Sequence, residues 1–144
     1  MTHSHVRRSG WTYDAAVSIS GELERARRLI FAADEVAARD LLMALVPQIV
    51  DADRDDFMLE VFAQLGEIYL VRGANDGAQE FVGRIRDCLA IYSGIAAGMM
   101  PKAAAQVRTS GAEVAQMICR YSRRAQFLET GLAAAPWRAW TRPP

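Results

Sequence analysis

One acidic segment of the chain has the spacing of a calcium-binding loop. Residues 51–62, DADRDDFMLEVF, place aspartates at the first, third and fifth positions, where a twelve-residue calcium loop presents its carboxylates. Such a loop also needs glycine at the sixth position and glutamate at the twelfth, but Asp56 and Phe62 occupy these places. We therefore interpret the segment as a solvated connection between helices and predict no metal site.

The side chains that usually carry catalysis are sparse in this chain. The only histidines, His3 and His5, lie in an aperiodic N-terminal segment, so none is expected beside Cys88 or Cys119 to act as a base. Neither a GxSxG elbow nor a phosphate-binding P-loop is present. The sequence thus predicts a protein that is not an enzyme and that has no cofactor.

A cluster of arginines supports a different kind of chemistry. The segment CRYSRRAQF, residues 119–127, places Arg120, Arg123 and Arg124 on one face of a predicted helix. Such a face can contact phosphates, which is the basis of an alternative role as a nucleic-acid-associated, transcription-regulatory fragment. The other interpretation is an ordinary solvated helix face. Because the 17 basic and 17 acidic side chains of the chain cancel, nucleic acid is not expected as the main partner.

The composition is that of an ordinary globular domain. The chain has 144 residues, enough for one domain with its own core, and its hydrophobic fraction is 51%. It has no run of about 18 apolar residues to span a membrane, and its N-terminus lacks the apolar stretch of a signal peptide. Two cysteines give no disulfide framework. We expect a cytoplasmic protein with no membrane partner.

The elements that position these residues are all predicted to be helices. Apolar residues recur every three or four positions, and alternating β-branched runs are absent, which together predict an all-α fold. Asp34 is expected to cap the second helix, and Pro47 is expected to kink or end it. Gly73 is expected to stop the third helix in a left-handed conformation. The predicted helices cover residues 14–32, 35–50, 56–72, 75–92 and 111–135.

Three other regions are predicted to be irregular. Residues 1–13 are polar and aperiodic, so we expect a disordered arm. Glycines and a proline predict a loop over 93–110. Residues 136–144, PWRAWTRPP, contain three prolines and are expected to form an irregular tail. The helical domain is therefore expected to cover 14–135.

The first two helix pairs are weakly self-similar at an offset of 40 residues. Small residues recur where two helices are expected to cross, and we expect Gly66 to lie at such a crossing. Gly77, in the first turn of the next helix, is expected to have its open side toward solvent. The offset aligns Ala26, Ala33 and Ala38 with Gly66, Gly73 and Ala78.

Residues 62–85 resemble the tetratricopeptide repeat, whose signature they carry as Phe62, Leu65, Gly66, Tyr69, Gly73 and Ala78. The resemblance implies antiparallel helix pairs stacked as a short right-handed solenoid of about five helices. It also implies an adaptor or regulatory module for protein–protein interaction, which binds another protein or peptide in a concave groove. The positions that would line this groove are Leu23, Arg27, Ile30, Ala63, Glu67 and Leu70.

The C-terminal helix has no predicted partner helix after it. One of its faces is therefore expected to be uncovered, because stacked helix pairs bury their faces against the next pair. Trp137 and Trp140 follow in the expected tail and are expected to contribute to a C-terminal interface. This interface would join two copies as a homodimer or bind another protein.

Overall fold

The computed structural model describes residues 13–96 and 111–141. The predicted arm, apart from Tyr13, and most of the predicted loop lie outside the described residues. The described part contains five helices and no strand, which confirms the predicted all-α fold. The helices are α1 Tyr13–Phe31, α2 Glu35–Ala52, α3 Asp55–Val71, α4 Asn75–Ala96 and α5 Gly111–Thr141.

Two helices continue past the ends that were predicted for them. Helix α2 runs through Pro47 to Ala52. A proline in a helix removes one backbone hydrogen bond, but Pro47 is exposed, so water can bind the carbonyl that is left without a partner. Helix α5 likewise runs through Pro136 to Thr141, after the strong helix formers of residues 132–135. The prediction of an irregular tail from residue 136 was therefore wrong as far as Thr141.

The chain divides into two compact units, and the boundary falls inside α3, between Gln64 and Leu65. In the first unit α1 packs on α2, and the start of α3 completes the core. Small and aliphatic side chains interlock there, as expected of a helix interface. The buried apolar residues of this unit are Ile19, Leu23, Ala26, Ala38, Leu42, Leu45, Ile49, Leu59, Val61 and Ala63.

The second unit contains the end of α3 together with α4 and α5, and α4 packs along α5. The rings of Tyr69 and Phe81 stack with their centroids 5.7 Å apart, which joins α3 to α4. The buried apolar residues of this unit are Leu65, Ile68, Leu70, Ala78, Val82, Ile85, Leu89, Val114, Tyr121, Ala125 and Leu128.

The first three helices end in the same turn. Ala33, Asp53 and Gly73 have φ values of 61°, 54° and 77°, in the left-handed region, and they follow one another every twenty residues. Each donates its N–H to the carbonyl three residues before it, and the next residue donates to the carbonyl five residues before itself. These are the two hydrogen bonds of a Schellman motif. The expected role of Gly73 is confirmed, and Ala33 and Asp53 have the same role without a glycine.

The predicted cap of α2 is also present. The Asp34 carboxylate accepts a hydrogen bond from the backbone N–H of Ala37, at 3.4 Å. An aspartate at this position satisfies one of the N–H groups that the first helical turn leaves without a partner. The chain therefore ends α1, turns and begins α2 within three residues, which holds the two helices side by side.

Candidate functional site

The predicted concave groove is largely made of core residues. Leu23, Ala63 and Leu70 are all buried within their own units, so they are not free to line an open surface. Leu70 packs so closely on α5 that a Cβ added at Gly131 would stand 2.5 Å from its Cδ2. The prediction was wrong for these three residues, because neighbouring helices cover the faces that carry them. Arg27 is exposed and Ile30 is half-buried.

The sixth groove position, Glu67, is already engaged within the second unit. Its Oε1 accepts a hydrogen bond from Nη2 of Arg124 on α5, at 3.0 Å. The two side chains are only 27% and 18% exposed, so water screens this ion pair less than a pair at the surface. The pair fixes α5 against the end of α3.

The same ion pair divides the predicted arginine face. Arg124 points toward Glu67, whereas Arg120 and Arg123 are exposed. Phe127 is 63% exposed on their side of the helix, and Tyr121 is buried. Five exposed positions at alternating spacings of four and three form a straight stripe, which we name the α5 outer face. Its residues are Gln116, Arg120, Arg123, Phe127 and Thr130.

A second stripe of exposed residues follows α2. Val36, Met43 and Val50 lie seven residues apart and are 59%, 53% and 64% exposed. At 3.6 residues per turn they fall on one line along the helix, away from its buried residues. Asp40 and Pro47 lie between them and are exposed too. We name this stripe, Val36, Asp40, Met43, Pro47 and Val50, the α2 outer face.

Sequence reasoning missed the α2 outer face. Its signal was present, because three large apolar residues at heptad spacing are the pattern of a helix-pairing seam. Helix α2, however, has apolar residues on two faces, and the sequence does not state which of them the core takes. Only the packing of α1 on Ala38, Leu42 and Leu45 shows that the other face is the exposed one.

The balanced net charge conceals two halves of opposite charge. Residues 13–64 contain eleven acidic and five basic side chains, a net charge of −6. Residues 65–144 contain six acidic and ten basic side chains, a net charge of +4. The α2 outer face belongs to the acidic half and the α5 outer face to the basic half. Each half therefore attracts surfaces that the other resembles.

The acidic segment between α2 and α3 is not arranged around a metal. Asp56 accepts two hydrogen bonds from Arg54, from Nε at 3.0 Å and from Nη2 at 2.8 Å. The Arg54 guanidinium also lies 4.2 Å from the centre of the Phe57 ring. Among the residues that the structure describes, no three metal-binding side chains come together.

The same region contains a small hollow in the first unit. Its volume is about 30 Å³, which suffices for a water molecule or two. It is lined by Ala16, Ile19, Ala52, Arg54 and Phe57. A substrate or cofactor of ordinary size needs roughly 300 Å³ or more, so this hollow is no such site.

Neither cysteine forms a disulfide; Cys119 is exposed and Cys88 is half-buried. No helix within the described ranges is long and apolar enough to cross a membrane. The side chains of Trp137 and Trp140 lie outside the described residues, although the backbone there is helical. The predicted interface through these two residues stays a prediction.

Comparison with known proteins gives no match: no protein-family model, curated protein or solved structure is significantly similar to the chain. The resemblance to the tetratricopeptide repeat therefore has no independent support from relatives. The two outer faces and the charges around them are what the chain itself offers for a function.

Proposed function

We propose that the chain is a protein–protein interaction module without catalytic activity, and that it binds another protein through the α2 outer face. The observation that carries this proposal is the exposure of Val36, Met43 and Val50, each more than half accessible. Single exposed apolar residues are common, but a straight row of them along a helix favours a docking surface. A partner helix with apolar residues at the same spacing would bury the row.

The architecture proposed for this module is a tetratricopeptide-like scaffold of paired helices. The turns that end α1 and α3 support it, because Ala33 and Gly73 make the same two hydrogen bonds at an offset of 40 residues. Tetratricopeptide repeats have a period of about 34 residues, and other paired-helix repeats about 40–47. The proposal is therefore the general class of paired-helix scaffolds rather than the tetratricopeptide family in the narrow sense.

The docking surface moves in this proposal from the predicted groove to α2. Leu23, Ala63 and Leu70 belong to the core, and Glu67 is paired with Arg124. A partner would have to displace these packed side chains to reach a groove there, whereas the α2 outer face is already open. A cytoplasmic location belongs to the same proposal and is supported by the two cysteines, which form no disulfide.

The alternative, a nucleic-acid-associated fragment, has the exposed pair Arg120 and Arg123 in its favour. The third arginine of the predicted face, Arg124, is held by Glu67. Neutralising two phosphates contributes little affinity at physiological salt, since binding strength rises with each phosphate contact. Protein binding is therefore the better supported of the two functions.

Affinity capture from native cytoplasm tests the proposed function. The wild-type chain is compared with the variant Met43→Glu, which places a charge in the middle of the α2 outer face. Gln48→Glu is the matched control, because Gln48 is exposed on the same helix but off the stripe. We expect Met43→Glu to lose partners that both other proteins retain. Equal recovery by all three proteins, each shown to be folded by circular dichroism, would mean that α2 does not bind the partner.

A further inference from the structure

The α5 outer face carries two cations that nothing in the described part of the chain neutralises. Arg120 and Arg123 are exposed and take part in no ion pair within the described residues. Their neighbour Phe127 is exposed as well. A solvated pair of arginines needs no explanation, but an exposed aromatic ring one turn beyond them makes this face resemble an interface.

The α2 outer face has the complementary features. Asp40 lies within its apolar row, is exposed, and forms no ion pair with the described residues. The two stripes have identical spacing, since each places five exposed residues at intervals of four, three, four and three. One is apolar with an acidic residue, and the other is basic with an aromatic residue.

The spacing lets both kinds of contact form at once. Asp40 and Pro47 are seven residues apart, as are Arg120 and Phe127, so two parallel helices can align both pairs. In the antiparallel direction, Val36 and Asp40 are four residues apart, as are Arg123 and Phe127. In either direction an ion pair places Phe127 against an apolar residue of α2.

We infer that the α2 outer face of one copy binds the α5 outer face of a second copy, so that the chain assembles head to tail. This inference rests on the proposed function, because it names the partner of the same docking surface. The argument for a second copy is charge complementarity: residues 13–64 have a net charge of −6 and residues 65–144 a net charge of +4. Copies placed head to tail bring opposite charges together.

The two contacting surfaces differ, so the interface is heterologous. Such a contact either closes into a ring or continues into an open chain of copies. Its strength depends on exposed charges, which salt screens over about 10 Å at 0.1 M ionic strength. Assembly therefore weakens as the salt concentration rises.

Size-exclusion chromatography with light scattering tests this assembly with the chain itself. From low to high micromolar concentration, and at low salt, we expect the mass of the wild-type protein to rise above that of the monomer. The variant Arg120→Glu/Arg123→Glu brings like charges together, so its apparent dissociation constant should rise about tenfold or more. Arg28→Glu/Arg27→Glu on α1 is the matched control, since both residues are exposed and outside either stripe. This control should assemble as the wild type does.

Mixing two defective variants separates a heterologous contact from a symmetric one. Asp40→Arg disables only the α2 outer face, and Arg120→Glu/Arg123→Glu disables only the α5 outer face. Neither variant should assemble alone at low salt. Each retains the face that the other has lost, so an equimolar mixture should form a heterodimer that cannot grow further.

Two results would overturn the inference. One is a wild-type chain that stays monomeric over the whole concentration range. The other is a wild-type chain that assembles while the mixture of the two variants does not, which would indicate a symmetric contact or different surfaces. The proposed function fails separately: a monomeric chain whose captured partner is lost in Met43→Glu rejects only the second copy as the occupant of α2. A chain that assembles as predicted but captures no other protein keeps the inference and limits the module to self-assembly.

Discussion

Gly66 of α3 and Leu128 of α5 lie so close together that a Cβ added to Gly66 would stand 2.7 Å from the Leu128 Cδ1. Real Cβ atoms do not approach other atoms at that distance, so Leu128 would have to move, and it is almost fully buried. A further contact of 3.5 Å, to Cβ of Phe81, shows that α4 approaches the same point. The expected helix crossing at Gly66 is present within the second unit.

Gly66→Leu should therefore destabilise the protein by about 1–3 kcal/mol, because added volume overpacks the core. Gly83→Leu is the matched control: Gly83 is exposed within α4, and an added Cβ there would meet nothing within 4 Å. The control should gain about 0.5–1 kcal/mol from better helix propensity. Urea unfolding measures both free energies. Equal effects of the two substitutions would reject the crossing.

Gly77 does not serve as such a control, contrary to the expectation from sequence. An added Cβ would stand 3.1 Å from Cγ of Tyr69, so the side of the helix that was expected to face solvent meets a ring. The reason is tertiary: Tyr69 stacks on Phe81 and lies over the first turn of α4.

A reciprocal pair of substitutions tests the left-handed turns. Ala33 has φ 61° and Gly73 has φ 77°, both are exposed, and both make the same hydrogen bonds. A side chain in this conformation costs about 1 kcal/mol. Ala33→Gly should therefore stabilise the protein by about 0.5–1 kcal/mol, and Gly73→Ala should destabilise it by about as much. Thermal unfolding should show melting temperatures shifted in opposite directions, and shifts of the same sign would contradict the shared geometry.

The buried side chain of Gln64 gives a third prediction. Its Nε2 donates to the Leu23 carbonyl oxygen at 3.1 Å and to Glu60 Oε2 at 2.8 Å, whereas its Oε1 is buried without a hydrogen-bond partner. An unsatisfied buried acceptor costs about 1–3 kcal/mol, which offsets much of what the two hydrogen bonds contribute. Gln64→Met keeps the volume and should change the free energy of unfolding by less than about 1 kcal/mol.

Gln64→Ala is the contrasting variant, because it leaves a cavity between α1 and α3. It should cost about 2–3 kcal/mol. If Gln64→Met proves as destabilising as Gln64→Ala, the hydrogen bonds rather than the volume of Gln64 hold the two helices together. Chemical denaturation of the three proteins under identical conditions decides between these outcomes.

The fourth prediction concerns the ion pair between Glu67 and Arg124. A double-mutant cycle with Glu67→Gln and Arg124→Gln should give a coupling free energy of about 0.5–1 kcal/mol, since both side chains are mostly shielded. The pair Glu80 and Arg84 on α4 is the control, because those side chains are 59% and 52% exposed. Its coupling should be about 0.3–0.5 kcal/mol and should fall more steeply with salt. A coupling near zero for Glu67 and Arg124 would remove the ion pair as a link between α3 and α5.

The sequence by itself determined the helical class and the positions of most helices. Apolar residues at spacings of three and four require a helix to bury them on one side, whatever the helix then packs against. Local signals also placed the cap at Asp34 and the left-handed residue at Gly73, because both depend on the residue's own backbone chemistry. The offset of 40 residues likewise aligned the turns at Ala33 and Gly73 before any geometry was known.

Only the tertiary structure decided which face of each helix is covered. Leu23 and Leu70 have the same apolar character as Val36 and Met43, yet the first two are buried and the last two are exposed. Burial depends on where neighbouring helices pass, and the chain's local pattern does not encode this. The pairing of Arg124 with Glu67, 57 residues away, is of the same kind. Long-range packing therefore separated a buried ion pair, a core and two open faces among residues that the sequence alone presented as alike.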